Sequence, residues 1–203
     1  NLELSEYPLY SSKRGKRTER CYLLCASFYR IGDEPFAILL GDIILQAEKP
    51  ALAQLIDVYE QEQASVIGVQ AVPMEIVHQY GVIDPAGEIV SGKPIEVKGF
   101  VEKPKAEVAP SNLSIMGRYI LTPNIFNALK VTAPGAGGEI QLTDAIELLN
   151  HSERIVAHDV QGKLYDIGSK LGFVQATIDF ALEREELKED LMNYMRDLLE
   201  NNQ

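Results

Sequence analysis

The sequence predicts an α/β fold, a mixed sheet flanked by helices, and two features of the chain carry the prediction. A strand, helix, strand succession runs from Phe36 to Val72, the pattern of a right-handed crossover unit in a parallel sheet. The stretch that follows is broken by Pro and Gly turns and reads as antiparallel ribbons, so the sheet is expected to be mixed. At 203 residues and 46% hydrophobic, the chain can bury a sizeable core and fits one domain with helical appendages.

Phe36 to Leu40 is a short continuous apolar run, the signature of a strand buried on both faces, and Gly41-Asp42 ends it. A helix is expected from Lys49 to Glu62, with Pro50 in its first turn and Leu52, Leu55, Ile56 and Tyr59 at helical spacing. Ser65 to Val72 is rich in branched residues and reads as a strand closed by Pro73. Tyr80 to Pro85, a turn at Ala86-Gly87 and the extended run to Phe100 form the ribbons. Ser114 to Leu121 is a further strand, followed by a helix from Asn124 to Lys130 with Thr122 as its cap and Pro123 at the first helical position. Gly135 to Gly138 is a flexible connection. Leu142 to Leu149 then reads as a helix with Ala145, Ile146, Leu148 and Leu149 inward. Ile155 to Val160 is a strand, and Gly162 to Gly168 sets Asp166 between apolar neighbours. Two terminal helices close the sequence, the second with an apolar stripe at Leu187, Leu191, Met195 and Leu198 that serves as core or subunit interface.

A net charge of -11 argues against a nucleic-acid or anionic-membrane surface, which needs clustered Lys and Arg. The basic run Lys13, Arg14, Lys16, Arg17 and Arg20 has no aromatic interleaving and reads as a solvated arm. No apolar run approaches the roughly 20 residues of a membrane span, and no secretory pattern opens the sequence, so the expected location is the cytoplasm. Cys21 and Cys25 are too few for a disulfide framework or a four-ligand zinc site. His78, His151 and His158 are scattered, without metal-ligand spacing.

Two places can carry chemistry. Phe100-Val101-Glu102-Lys103-Pro104 sets a carboxylate and an ammonium side by side at a strand end. Strand neighbours point to opposite faces, so Glu102 and Lys103 can serve two parts of one ligand. Glu102 would accept from hydroxyls and Lys103 would meet an anion, and a phosphorylated sugar offers both. Taken alone, the pair reads more simply as surface charges before a loop. Asp42 stands beyond an apolar strand, where open α/β sheets bind ligands. With Asp166 it would suffice for Mg2+, which takes one or two protein carboxylates and keeps water or phosphate. Taken alone, Asp42 caps a loop and Asp166 opens the turn before Gly168.

Six ordered blocks decide between these readings. They are Gly32-Asp33-Glu34-Pro35-Phe36 through Leu40-Gly41-Asp42, then Tyr80-Gly81-Val82, Phe100 to Pro104, Ile115-Met116-Gly117-Arg118-Tyr119, Gly137-Gly138-Glu139-Ile140-Gln141-Leu142-Thr143-Asp144, and Tyr165-Asp166-Ile167-Gly168-Ser169-Lys170-Leu171-Gly172-Phe173. In this order they resemble the bacterial UTP:glucose-1-phosphate uridylyltransferases. The resemblance implies a nucleotidyltransferase-type, Rossmann-like domain over residues 32–203 after a divergent segment over residues 1–31. It implies Asp42 and Asp166 as the Mg2+ pair, Glu102 as partner of the glucose hydroxyls and Lys103 as the contact to the sugar phosphate. Gly81 and Gly117 are implied as backbone approaches to the sugar. The implied ligands are glucose 1-phosphate and UTP, the product UDP-glucose, and the implied assembly a homo-oligomer, dimer or tetramer.

The resemblance also has gaps. The family's G-x-G-T-R-x-x-P loop, the lysine beyond it and a G-L-G-H-A segment are not found in the sequence, and residues 18–22, Thr-Glu-Arg-Cys-Tyr, stand where the last is expected. The expectation is therefore the C-terminal two-thirds of such an enzyme, with the nucleotide-binding portion missing and no activity alone. A module that binds sugar phosphate or a subunit without catalysis is the competing class, and a thymidylyltransferase the competing enzyme.

Overall fold

Among the described residues, apolar runs separated by turn residues assemble into a six-stranded mixed sheet and a two-stranded ribbon. The structure is a computed structural model that describes residues 33–90, 92–135, 138 and 140–201. The divergent segment over residues 1–31, with its basic run and both cysteines, lies outside the described residues, as do Gly32, Gly137 and Glu139. The strands are β1 (Phe36–Leu39), β2 (Ile43–Gln46), β3 (Ser65–Ala71), β4 (Gly81–Pro85), β5 (Ile95–Glu102), β6 (Leu113–Leu121), β7 (Ile155–Asp159) and β8 (Lys163–Asp166). The α-helices are α1 (Ala51–Glu62), α2 (Ile125–Val131), α3 (Leu142–Asn150), α4 (Lys170–Leu182) and α5 (Glu185–Asn201). Contacts divide the chain into two units, one of Leu52–Val160 with the described residues up to Leu39, the other of Leu40–Ala51 with those from Gln161 on.

The larger unit holds the sheet, in the order β1-β6-β3-β7-β5-β4, with β4 also reaching β6 at Val82 and Ser114. Among the described strands only β3 and β7 pair in parallel, and β6 lies antiparallel to both β1 and β3. The expected crossover thus spans an inserted strand. The β-branched residues of β3 are the reason for its central place: Val66, Ile67 and Val69 are fully buried. Leu55 and Val58 of α1, Ile125 and Leu129 of α2, and Ala145, Ile146 and Leu149 of α3 complete this core.

Four expectations are corrected. β1 is not buried on both faces: among the described residues it pairs with β6 alone, Ile38 is buried and Leu39 is 51% exposed. Phe36 compensates by stacking on Phe126, with ring centroids 5.2 Å apart. Pro50 precedes α1, which opens at Ala51. Thr122 does not cap α2, because its hydroxyl donates to Glu153 at 2.7 Å and Asn124 stands at the cap position. Leu148 turns outward, since α3 buries positions 145, 146 and 149 and the helical rotation carries 148 off that face.

In the smaller unit β2 pairs antiparallel with β8, a ribbon that no local pattern in the sequence marks off. Tyr165 is buried there and its hydroxyl donates to Asp179 on α4 at 2.7 Å. On α5, Leu191 and Met195 are half-buried, while Leu187 and Leu198 stay exposed, so its apolar stripe is only partly covered. No helix among the described residues is long and apolar enough to cross a membrane.

Candidate functional site

In the larger unit, strand register builds the first cluster. Gly81, the first residue of β4, lies directly opposite Glu102, the last residue of β5. Lys103 then leaves the strand with φ +46, a left-handed conformation uncommon for a side-chain-bearing residue. Its N–H donates to the Tyr80 carbonyl at 3.0 Å, which pins the turn. Opposite-face alternation therefore ends one residue earlier than expected. The two charged ends meet, with Lys103 Nζ 3.5 Å from Glu102 Oε1, and the Glu102 side chain is 16% exposed against 52% for Lys103. A sheltered acceptor beside an accessible cation is suited to a ligand that carries hydroxyls and an anionic group.

Gly81 must be glycine for a local reason. A Cβ there would lie 2.8 Å from Thr143 Oγ1, 3.0 Å from Glu102 Oε2 and 3.1 Å from Ile115 Cδ1. The missing side chain lets two oxygens converge on the start of β4. Thr143 and Asp144 come from the first turn of α3, and α3 is fixed along β5: the Phe100 N–H donates to Glu147 Oε2 at 2.7 Å, and Asn150 Nδ2 donates to the Lys98 carbonyl at 3.3 Å. Burial, and then the neighbouring Glu102 carboxylate, push the Asp144 carboxyl above the usual range. No role for Thr143 or Asp144 follows from the sequence; their signal is that a helix N-terminus follows the Gly-rich connection.

Gly117 occupies a distortion of β6. Its φ is +61, and it falls where the register with β3 skips from Ile67 opposite Tyr119 to Val69 opposite Ile115. Such a bulge needs a left-handed residue, which glycine supplies without strain. Arg118 Nη1 donates to the Gly117 carbonyl at 3.0 Å.

The second cluster belongs to the smaller unit. Asp42 immediately precedes β2 and Asp166 ends β8, where it pairs with Ile43. The Ile167 N–H donates to the Asp42 carbonyl at 2.9 Å, which closes the ribbon over this end. Both carboxylates face Gly168: a Cβ there would lie 3.0 Å from Asp166 Oδ1 and 3.7 Å from Asp42 Oδ2. Asp166 Oδ1 also accepts from the Gly168 N–H at 3.0 Å, so the turn-opening role and the pairing coexist. Ser169 then caps α4 by accepting from the Gly172 N–H at 3.0 Å. Among the described residues no group of three or more His, Cys, Asp or Glu side chains is arranged to hold a metal. A two-carboxylate pair fits an ion that completes its shell with water and phosphate.

A family model described as nucleotidyl transferase matches residues 7–182. The chain is 55% identical over 169 residues to the UTP--glucose-1-phosphate uridylyltransferase of Bacillus subtilis (strain 168), covering 83% of this chain and 57% of that protein. It thus spans a little under three-fifths of that relative. Among solved structures, a UDP-glucose pyrophosphorylase complexed with UDP-glucose superposes with a TM-score of 0.77 at 38% identity, covering 85% of this chain and 64% of that one. A UTP-bound UGPase from Acinetobacter baumannii superposes with a TM-score of 0.77 at 37% identity, covering 89% and 61%.

Proposed function

The chain belongs to the nucleotidyl transferase family, and from that premise we propose that the whole protein transfers a uridylyl group from UTP to glucose 1-phosphate. The products are UDP-glucose and pyrophosphate. A relative of that activity at 55% identity, and similar structures holding UDP-glucose and UTP, support the reading. The observation that carries it is the meeting of Glu102 and Lys103 opposite Gly81.

In the proposed reaction a phosphate oxygen of the sugar attacks the α-phosphorus of UTP, the bond from that phosphorus to the bridging oxygen breaks, and pyrophosphate leaves with the electron pair. No protein nucleophile is needed. Glu102 accepts from sugar hydroxyls, Lys103 neutralises the sugar phosphate, and the main chain at Gly81 and Gly117 approaches the sugar. Asp42 and Asp166 would hold Mg2+, which when bound supplies positive charge to the phosphates. We place the protein in the cytoplasm, as a homo-oligomer whose contacts use the exposed apolar residues of α4 and α5, among them Leu171, Phe173 and Leu198.

Calorimetry with glucose 1-phosphate and with glucose tests the reading. Lys103→Ala is expected to weaken the phosphorylated ligand more than the free sugar, by about 1.5 to 3 kcal/mol for a charge-assisted contact, while Glu102→Ala weakens both. Equal losses on the two ligands for Lys103→Ala would remove the phosphate role.

A further inference from the structure

We propose that Thr143 is a specificity-determining residue, whose hydroxyl and the Glu102 carboxylate together hold one hydroxyl of the sugar. The inference rests on the reading of this cluster as the sugar-phosphate site. Thr143 is only 7% exposed, and its Oγ1 is directed at Gly81 at the start of β4. It points to the same small volume as Glu102 Oε2, the two atoms lying 2.8 and 3.0 Å from where a Cβ of Gly81 would stand. The Lys103 ion pair engages Glu102 through the other oxygen, Oε1.

The donor and acceptor counts complete the argument. An ionised carboxylate only accepts, whereas a threonine hydroxyl donates as well, so a ligand group that donates to Glu102 and accepts from Thr143 satisfies both. A sugar hydroxyl does both at once; a hydrogen or a methyl at that ring position does neither. The position of Thr143 is fixed, because α3 is tied to β5 through Glu147 and Asn150, and the register sets Glu102 across from Gly81. Asp144, the next residue of α3, has its carboxyl raised by burial and then by the nearby Glu102.

The test is calorimetric titration of the 203-residue chain with glucose 1-phosphate and its 2-, 3-, 4- and 6-deoxy analogues. Thr143→Val, which keeps the shape and removes the hydroxyl, is expected to weaken glucose 1-phosphate about tenfold, and Thr143→Ser to restore most of the loss. One deoxy analogue alone should bind the wild type and Thr143→Val equally, which identifies the hydroxyl held. A purely structural role would lower the affinity for every analogue by the same factor, with no coupling, and would overturn the proposal. Equal binding of glucose 1-phosphate by wild type and Thr143→Val would overturn it too, while leaving the sugar-phosphate reading in place. If the wild-type chain binds neither glucose 1-phosphate nor any analogue, the sugar-phosphate reading of this cluster fails, and the inference with it.

Discussion

Lys103 shows how much one dihedral decides. A residue that simply continued β5 would send its ammonium to the face opposite Glu102; at φ +46 it returns to within 3.5 Å of that carboxylate. Left-handed conformations of side-chain-bearing residues cost energy and are held in place by their surroundings, here by the bond to the Tyr80 carbonyl. Asp144 is the second residue with a measurable signature. Its carboxyl is raised by burial and by Glu102, so the folded state holds that proton more tightly than the unfolded chain. The associated stability is present below the ordinary Asp value of about 3.9 and is lost as pH rises through the raised folded value. Asp144→Asn is therefore expected to be more stable than wild type at neutral pH, with the gap in melting temperature closing toward pH 3.5. A gap that widened as pH fell would contradict this origin.

Among the elements, β1 and the β2–β8 ribbon depart most from the linear reading. Continuous apolarity from Phe36 to Leu40 predicts burial on both faces, yet hydrophobicity reports only that a surface wants covering, not what covers it; Leu39 is half exposed. The ribbon was hidden because its halves, Ile43–Gln46 and Lys163–Asp166, are four residues each and more than a hundred positions apart. It is nonetheless what brings Asp42 and Asp166 to one glycine. If that pair holds the metal, Mn2+ used as a paramagnetic substitute should bind the chain, and Asp42→Asn or Asp166→Asn should each weaken it at least tenfold without lowering the melting temperature appreciably. Retained Mn2+ affinity in either variant would remove that carboxylate from the site.

For the molecule as a whole, the proposed reaction needs a cradle for the nucleotide phosphates, and the 203-residue sequence contains no glycine-rich loop of the G-x-G-T-R-x-x-P type. The expected outcome is that this chain alone releases no pyrophosphate from UTP and glucose 1-phosphate in the presence of Mg2+. Turnover in the usual enzyme range of about 1 to 1000 per second would show that residues 1–31 build a nucleotide site by other means. The proposed sugar-phosphate site does not depend on that outcome, because Glu102, Lys103 and Thr143 are held by β4, β5 and α3 within one unit.

The sequence by itself determined the fold class, the place of nearly every element in the larger unit, and the residue types able to bind a sugar phosphate and a divalent ion. Those properties are local: period, turn chemistry and side-chain charge are written into a few consecutive positions. Tertiary structure decided which of these residues meet. It set Gly81 across from Glu102, brought Thr143 and Asp144 from α3 to the same point, and gathered Asp42 and Asp166 around Gly168. It also assigned the glycines at 81 and 117 their local duties, close approach in one case and a strand bulge in the other. Register and helix docking produce these meetings, and both depend on the packing of segments far apart in the chain, which no local pattern encodes.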